Sequence, residues 1–119
     1  MASGWPARGE IWFLKLQTDP PDKGLRPVVV VSVDARNRHP RASTVIVIPL
    51  STSIQKDIPT HILLPAGETG LQADSVCKAE DISTVLKSSL VAPRAKLRPL
   101  PNLRICQIVQ AVAIATGCR

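Results

Sequence analysis

Aromatic side chains are almost missing from this sequence. It has two tryptophans, Trp5 and Trp12, one phenylalanine, Phe13, and no tyrosine. That argues against a nucleic-acid platform on which exposed rings stack successive bases. No glycine-rich phosphate loop and no GxSxG elbow occur, and no cysteine has a recognisable nucleophile context. The three cysteines, Cys77, Cys106 and Cys118, form no CxxC pair. Their odd number, and an N-terminus "MASGWPARGE" without an apolar leader, point to a reducing cytoplasm. The two histidines, His39 and His61, have no Cys or His at ligand spacing, so neither a metal site nor a cofactor is expected. The apolar stretch "IVQAVAIA" near the C-terminus is too short to span a bilayer, and no membrane association is expected.

What is present is a basic, apolar-rich chain. Its 119 residues suffice for one domain, 1–119, with a real core. Fifteen Lys and Arg oppose nine Asp and Glu, a formal net charge of +6. The excess is spread along the chain, eight basic and five acidic groups in residues 1–60 and seven and four in 61–119. A diffuse positive field suits a polyanion such as nucleic acid or an acidic protein, and it also serves plain solubility.

The apolar pattern is β-like. Strands are expected at 9–16 ("GEIWFLKL"), 26–33 ("RPVVVVSV"), 42–50 ("ASTVIVIPL"), 60–65 ("THILLP") and 74–80 ("DSVCKAE"), with one more short strand at "DISTV". The unbroken valine run predicts burial on both faces of the second strand. Residues 17–25 read as a turn-rich loop, 34–41 as a polar loop and 51–59 as a connection opening on hydroxyls. "LKSSL" reads as one helical turn, and "APRAKLRPLPN" as a basic, proline-broken linker. A helix is expected over 102–115, with Asn102 as its N-cap and Arg104, Gln107 and Gln110 on a narrow polar stripe. The fold class is mainly β with α: a small, curled β-barrel with a C-terminal helix laid against it, or that helix packed on another subunit.

The chemistry is concentrated in few places. Arg26 opens the second strand, fixed there by Pro27, and Ser51, Thr52 and Ser53 open the loop after the third. Antiparallel neighbours are expected to leave these two groups at opposite ends, converging only if the 17–25 loop folds over or the barrel bends sharply. From residue types alone, Arg26 reads first as a solvated strand-end charge and Ser51 as a turn residue. Arg36, Arg38, His39 and Arg41 form a basic loop suited to phosphate contacts or to solvent. His39 and His61 could act together as acid and base on RNA if the fold joined them. Glu80 and Asp81, adjacent in a strand, would face opposite sides.

Taken in order, "RGEIWFLKL", "RPVVVVSVDARNR", "STVIVIPLSTSIQK", "PTHILLP" and "GLQADSVCKAEDISTV" resemble the MazF/PemK family of bacterial toxin–antitoxin toxins. The match spans about residues 8–90; "RPVVVVS", Asp34 with its following "NR", and "GLQADSV" are its most specific pieces. The resemblance implies an SH3-like (MazF/PemK/CcdB-type) barrel, usually homodimeric. It implies an endoribonuclease that cuts single-stranded mRNA sequence-specifically, without metal, through the RNA's own 2′-hydroxyl, leaving 2′,3′-cyclic phosphate and 5′-hydroxyl ends. The implied partner is an antitoxin with an acidic, initially disordered C-terminal tail. Residue by residue, the resemblance places the catalytic arginine on Arg26 and the catalytic hydroxyl on Ser51, with the neighbouring Thr52 as the alternative. Where relatives carry a glutamate before the arginine, this chain has "TDPPDKGL", with Asp19 and Asp22; Asp22, four residues before Arg26, is the nearer candidate base. RNA contacts are implied for Lys23, Pro27, Thr52, Ser53, Gln55, Lys56, His61, Glu80 and Asp81. Two other readings share the fold: a gyrase-binding toxin of the CcdB kind, and an inactive member that only binds its antitoxin.

Overall fold

A computed structural model describes residues 4–92 and 97–118. Its strands are β1 (Ile11–Leu14), β2 (Arg26–Val30), β3 (Thr44–Ser51), β4 (His61–Leu64), β5 (Ser75–Lys78) and β6 (Ser83–Leu86). Single helical turns α1 (Asp34–Asn37) and α2 (Ala66–Thr69) and the longer α3 (Asn102–Ala115) complete it, with 3-10 turns at Ala79–Asp81 and Lys87–Ser89. All strand pairs are antiparallel, in the order β1-β2-β3-β5-β4, with β6 also on β3.

The β-branched runs explain the centre. Val28, Val29 and Val30 are all fully buried, yet successive residues of a strand face opposite sides. Val29 and Val31 join Ile11, Ile48, Leu50 and Leu64 in a core closed by Ile105 and Ile108 of α3. Val28 and Val30 join Trp12, Leu14, Val45 and Val47 in a second core. The valine run is thus buried on both faces, as its sequence predicts, each such side chain contributing about 1.5–3 kcal/mol.

The eight-residue β3 carries the curl. Its first half pairs with β6 through Thr44–Val47, and its last residues pair with β5 through Leu50 and Ser51. The sheet is strongly folded but not a closed barrel, since no pairing joins β1 to β4 among the described residues. An isolated bridge from Phe13 to Val91 covers part of the β1 edge instead.

The expected 34–41 loop contains the α1 turn, built around a buried polar knot. Asp34 accepts the Arg8 backbone N–H at 2.7 Å and the Asn37 amide at 3.2 Å. Buried Asn37 also donates to the Ser32 carbonyl and accepts the Ser32 hydroxyl, whose oxygen takes the Ile46 N–H. Each buried polar atom has a partner, which is why this segment holds its shape without a helical sequence pattern.

The helix coincides with its expected bounds, but its cap does not. Pro101 occupies the cap position without a side-chain bond, and Asn102 lies inside the first turn. The Asn102 amide oxygen instead accepts from Arg8 Nε at 3.3 Å. Arg104 grips Glu68 of α2 through Nε and Nη2, at 2.7 and 2.8 Å. Gly9 lets the chain before α3 dock on β1. A Cβ there would lie 2.6 Å from the Leu100 carbonyl oxygen, and its φ of +92° suits only glycine.

Candidate functional site

Arg26 and Ser51 lie at the same end of the β2–β3 pair. The β2–β3 ladder ends at Val28 opposite Pro49; two residues beyond it on each strand, Arg26 pairs with Leu14 of β1 and Ser51 with Val76 of β5, so both groups close the same end of the pair. The expectation that antiparallel pairing separates them is therefore corrected. In such a pair the first residue of one strand faces the last residue of the next, so no loop need fold over. Pro27 confines Arg26 to extended backbone, and Arg26 Nη1 donates to the Leu50 carbonyl at 3.4 Å.

The carboxylate at Arg26 is Asp19, not Asp22. Arg26 Nε and Nη2 donate to Asp19 Oδ2 and Oδ1, both at 3.1 Å, with side chains 17 % and 10 % exposed. Asp22, nearer in sequence, is exposed without a side-chain partner, because Pro20 and Pro21 turn the chain between the two carboxylates. Lys23 beside it is likewise exposed. The signal was present in "TDPP", where an aspartate before a stiff dipeptide is held in one place, but sequence distance pointed to the other residue.

Ser51 is half-buried, and its Oγ accepts the Ser53 backbone N–H at 3.1 Å. This is the turn-capping role open to it from sequence. It also leaves the hydroxyl hydrogen free to donate to another group. Thr52 and Ser53 are exposed beside it.

Next to this pair opens a cleft of about 560 Å³, under the connection from β3 to β4. Ile54, Leu63 and Val76 supply much of its apolar surface, and Gln55, Lys56, Asp57 and His61 its polar groups. Val76 is the register partner of both Ser51 and Leu63, so one strand joins the cleft to the arginine–serine pair. Ile54, in the β3–β4 connection, and Leu63, on β4, are 44 % and 48 % exposed. Their placement depends on the curl of β3 and has no local sequence signature.

His61 Nε2 lies 3.0 Å from Glu80 Oε2, with the imidazole almost wholly buried and the carboxylate half-exposed. His61 Nδ1 is buried and has no protein partner. Glu80 is held below its ordinary value by its own backbone N–H and then by the Thr60 hydroxyl; burial opposes this, and His61 adds a smaller lowering effect. Glu80 and Asp81 lie in a 3-10 turn rather than in a strand, so the expected division to opposite sheet faces does not arise. The two histidines are not brought together: His39 accepts the Arg41 N–H within its own loop, while His61 holds Glu80. In the basic loop, Arg36 is committed to the Thr44 carbonyl and hydroxyl, leaving Arg38 and Arg41 exposed.

Beneath the cleft Cys77 is fully buried. Burial, then the charges of Asp81 and Glu80, push its thiol up to about 12, so it offers no nucleophile.

Residues 7–116 match the family model described as PemK-like, MazF-like toxin of type II toxin–antitoxin system. The chain is 36% identical over 111 residues to Endoribonuclease MazF9 of Mycobacterium tuberculosis, covering 87% of this chain and 86% of that protein. It is 36% identical over 86 residues to Endoribonuclease EndoA of Bacillus subtilis, covering 70% and 72%. Among solved structures it resembles a mycobacterial endoribonuclease in complex with its cognate antitoxin. There the identity is 25%, the TM-score 0.70, and the coverage 96% of this chain and 97% of that one. With its mainly antiparallel sheet, its terminal helix and its family match over nearly the whole length, this chain belongs to the PemK/MazF toxins of type II toxin–antitoxin systems.

Proposed function

We propose that the chain is an endoribonuclease that cleaves single-stranded mRNA by attack of the ribose 2′-hydroxyl on the adjacent phosphate. The products are a 2′,3′-cyclic phosphate and a 5′-hydroxyl end. The observation that carries this reading is that Arg26 and Ser51 close the same end of β2 and β3, with Arg26 Nη1 on the Leu50 carbonyl one residue from Ser51. The nucleophile belongs to the RNA, so the protein's work is to hold the phosphate in line and offset the charge growing on its non-bridging oxygens. The Arg26 guanidinium is charged at every working pH and offers planar donors that match phosphate oxygens. The Ser51 hydroxyl, already accepting from Ser53, donates to a phosphate oxygen.

The cleft is read as the seat of a splayed base. Ile54, Leu63 and Val76 cover a base face, and Gln55, His61 and Glu80 address its edge, a carboxylate accepting from an exocyclic amine. Lys23 and Lys56 meet flanking phosphates, and Pro27, Thr52, Ser53 and Asp81 border the path. An antitoxin with an acidic tail suits the same basic surface. Pairing with a second copy suits α3, whose Leu103, Val109 and Ile114 remain exposed at 72, 42 and 51 %. A cytoplasmic location fits the RNA substrate; among the described residues no helix is long and apolar enough to cross a membrane.

The test is to incubate the purified protein with a long defined RNA in excess EDTA and map cut sites and end groups. Discrete cuts with cyclic phosphate ends are expected. Absence of cutting, or cutting that only a divalent metal restores, overturns the reading. An Arg26→Ala protein is expected to fold and bind antitoxin while cutting about a hundredfold or more slowly, which also separates a ribonuclease from a gyrase binder.

A further inference from the structure

A guanidinium has two edges that can each make a paired contact: a side edge, Nε with Nη2, and an end edge, Nη1 with Nη2. Asp19 takes the whole side edge of Arg26 with both of its oxygens. The end edge keeps one N–H of Nη2 uncommitted, and its Nη1 makes only the long contact to the Leu50 carbonyl, one residue from Ser51. The carboxylate is also held from its own side. The Asp19 N–H donates to the Leu16 carbonyl at 3.2 Å, Lys15 Nζ donates to the Pro20 carbonyl at 2.7 Å, and Pro20 and Pro21 stiffen the chain that follows.

We infer that Asp19 is a positioning residue, which fixes the side edge of Arg26 so that its end edge is presented to the scissile phosphate next to Ser51. This rests on reading Arg26 as the phosphate-binding group. Nothing in the arrangement requires Asp19 to leave when RNA arrives, because the two edges are used by different partners. Nor does it ask Asp19 to take a proton, because its role is to hold the guanidinium, and Asp19→Asn separates that role from a base's. A flexible side chain pinned at one edge keeps the other within the few tenths of an ångström that phosphate chemistry needs.

The experiment compares wild type, Asp19→Ala, Asp19→Asn, Arg26→Ala and the Asp19→Ala/Arg26→Ala double variant. It uses single-turnover cleavage of one defined RNA at enzyme excess, with RNA affinity measured on a 2′-deoxy version of the cut site. Asp19→Ala is expected to cut about ten- to a hundredfold more slowly, with RNA affinity unchanged or tighter because a negative charge has left the phosphate's surroundings. Asp19→Asn keeps an acceptor oxygen without the ability to serve as a base, and is expected to retain clearly more activity than Asp19→Ala. The double variant is expected to be no slower than Arg26→Ala, since Asp19 acts through Arg26.

Three results overturn the inference. Asp19→Ala that cuts as fast as wild type, or faster, makes the carboxylate idle or a displaceable lock. Asp19→Asn as slow as Asp19→Ala makes it a base. A double variant slower than Arg26→Ala gives it a role of its own. Arg26→Ala that cuts at the wild-type rate overturns the proposed mechanism itself, and is distinguishable because the Asp19 variants then change nothing that depends on Arg26.

Discussion

Replacing Arg26 by lysine separates charge from geometry. Both side chains are cationic, and at about 4 Å from a phosphate, in surroundings of intermediate polarity, either supplies roughly 4 kcal/mol of attraction. What differs is the fork. Arg26 spends Nε and Nη2 on Asp19 and still has its end edge to offer. A lysine ammonium is a compact group whose three donors cannot hold both Asp19 oxygens and also meet two phosphate oxygens. The loss is one to two charge-assisted hydrogen bonds formed most strongly in the transition state, about 1.5–3 kcal/mol. Arg26→Lys is therefore expected to cut roughly ten- to a hundredfold more slowly. RNA binding and its salt slope should stay near wild type, because the number of phosphates neutralised is unchanged. The assay is single-turnover cleavage in EDTA, paired with binding of a 2′-deoxy RNA at several salt concentrations. A lysine variant that cuts at the wild-type rate would refute the reasoning, leaving charge alone as what the site requires.

Three further outcomes are expected. Ser51→Ala should slow single-turnover cleavage more than it weakens RNA binding; equal losses in both would reduce the hydroxyl to a binding group. Glu68 is held below its ordinary value by the hydrogen bond from Arg104, opposed by a little desolvation. Because its folded value is the lower one, the stability it contributes is full above pH 4.5 and fades as acid titrates the folded carboxylate. Glu68→Gln should therefore cost about 0.5–1 kcal/mol at pH 7, with the gap to wild type closing on acidification, read by denaturant melts across pH. Cys77 should resist alkylation in the folded protein at pH 8 while exposed Cys118 reacts, as mass mapping would report; modification of both at one rate would contradict the buried thiol.

Much of the fold was legible because its strongest signals are long and one-sided. The valine run and "TVIVI" could only be buried strands, and the 102–115 pattern could only be a helix with an apolar face. What failed to show was short-range structure held by distant partners. "DARN" forms a helical turn because Asp34 and Asn37 are tied to Arg8 and Ser32, not because of its own propensity. Asn102 has the chemistry of a cap, yet Pro101 took the position and Arg8 took the amide. The two groups read as catalytic were identifiable from residue type and family resemblance. Their common end of the β2–β3 pair is missed when the start of one strand and the end of the next are treated as far apart. Asp19 and the cleft were less accessible still: one depends on how two prolines turn a loop, the other on where a bent strand exposes Ile54 and Leu63.

The most direct test of the account is a crystal structure of the protein bound to RNA with a single 2′-deoxy nucleotide at the mapped cut site. The account predicts the scissile phosphate at the end of β2 and β3, its non-bridging oxygens about 2.7–3.0 Å from the Arg26 Nη atoms and the Ser51 hydroxyl, with Asp19 still on the side edge of Arg26. A scissile phosphate bound elsewhere, with Arg26 touching only Asp19, would contradict it.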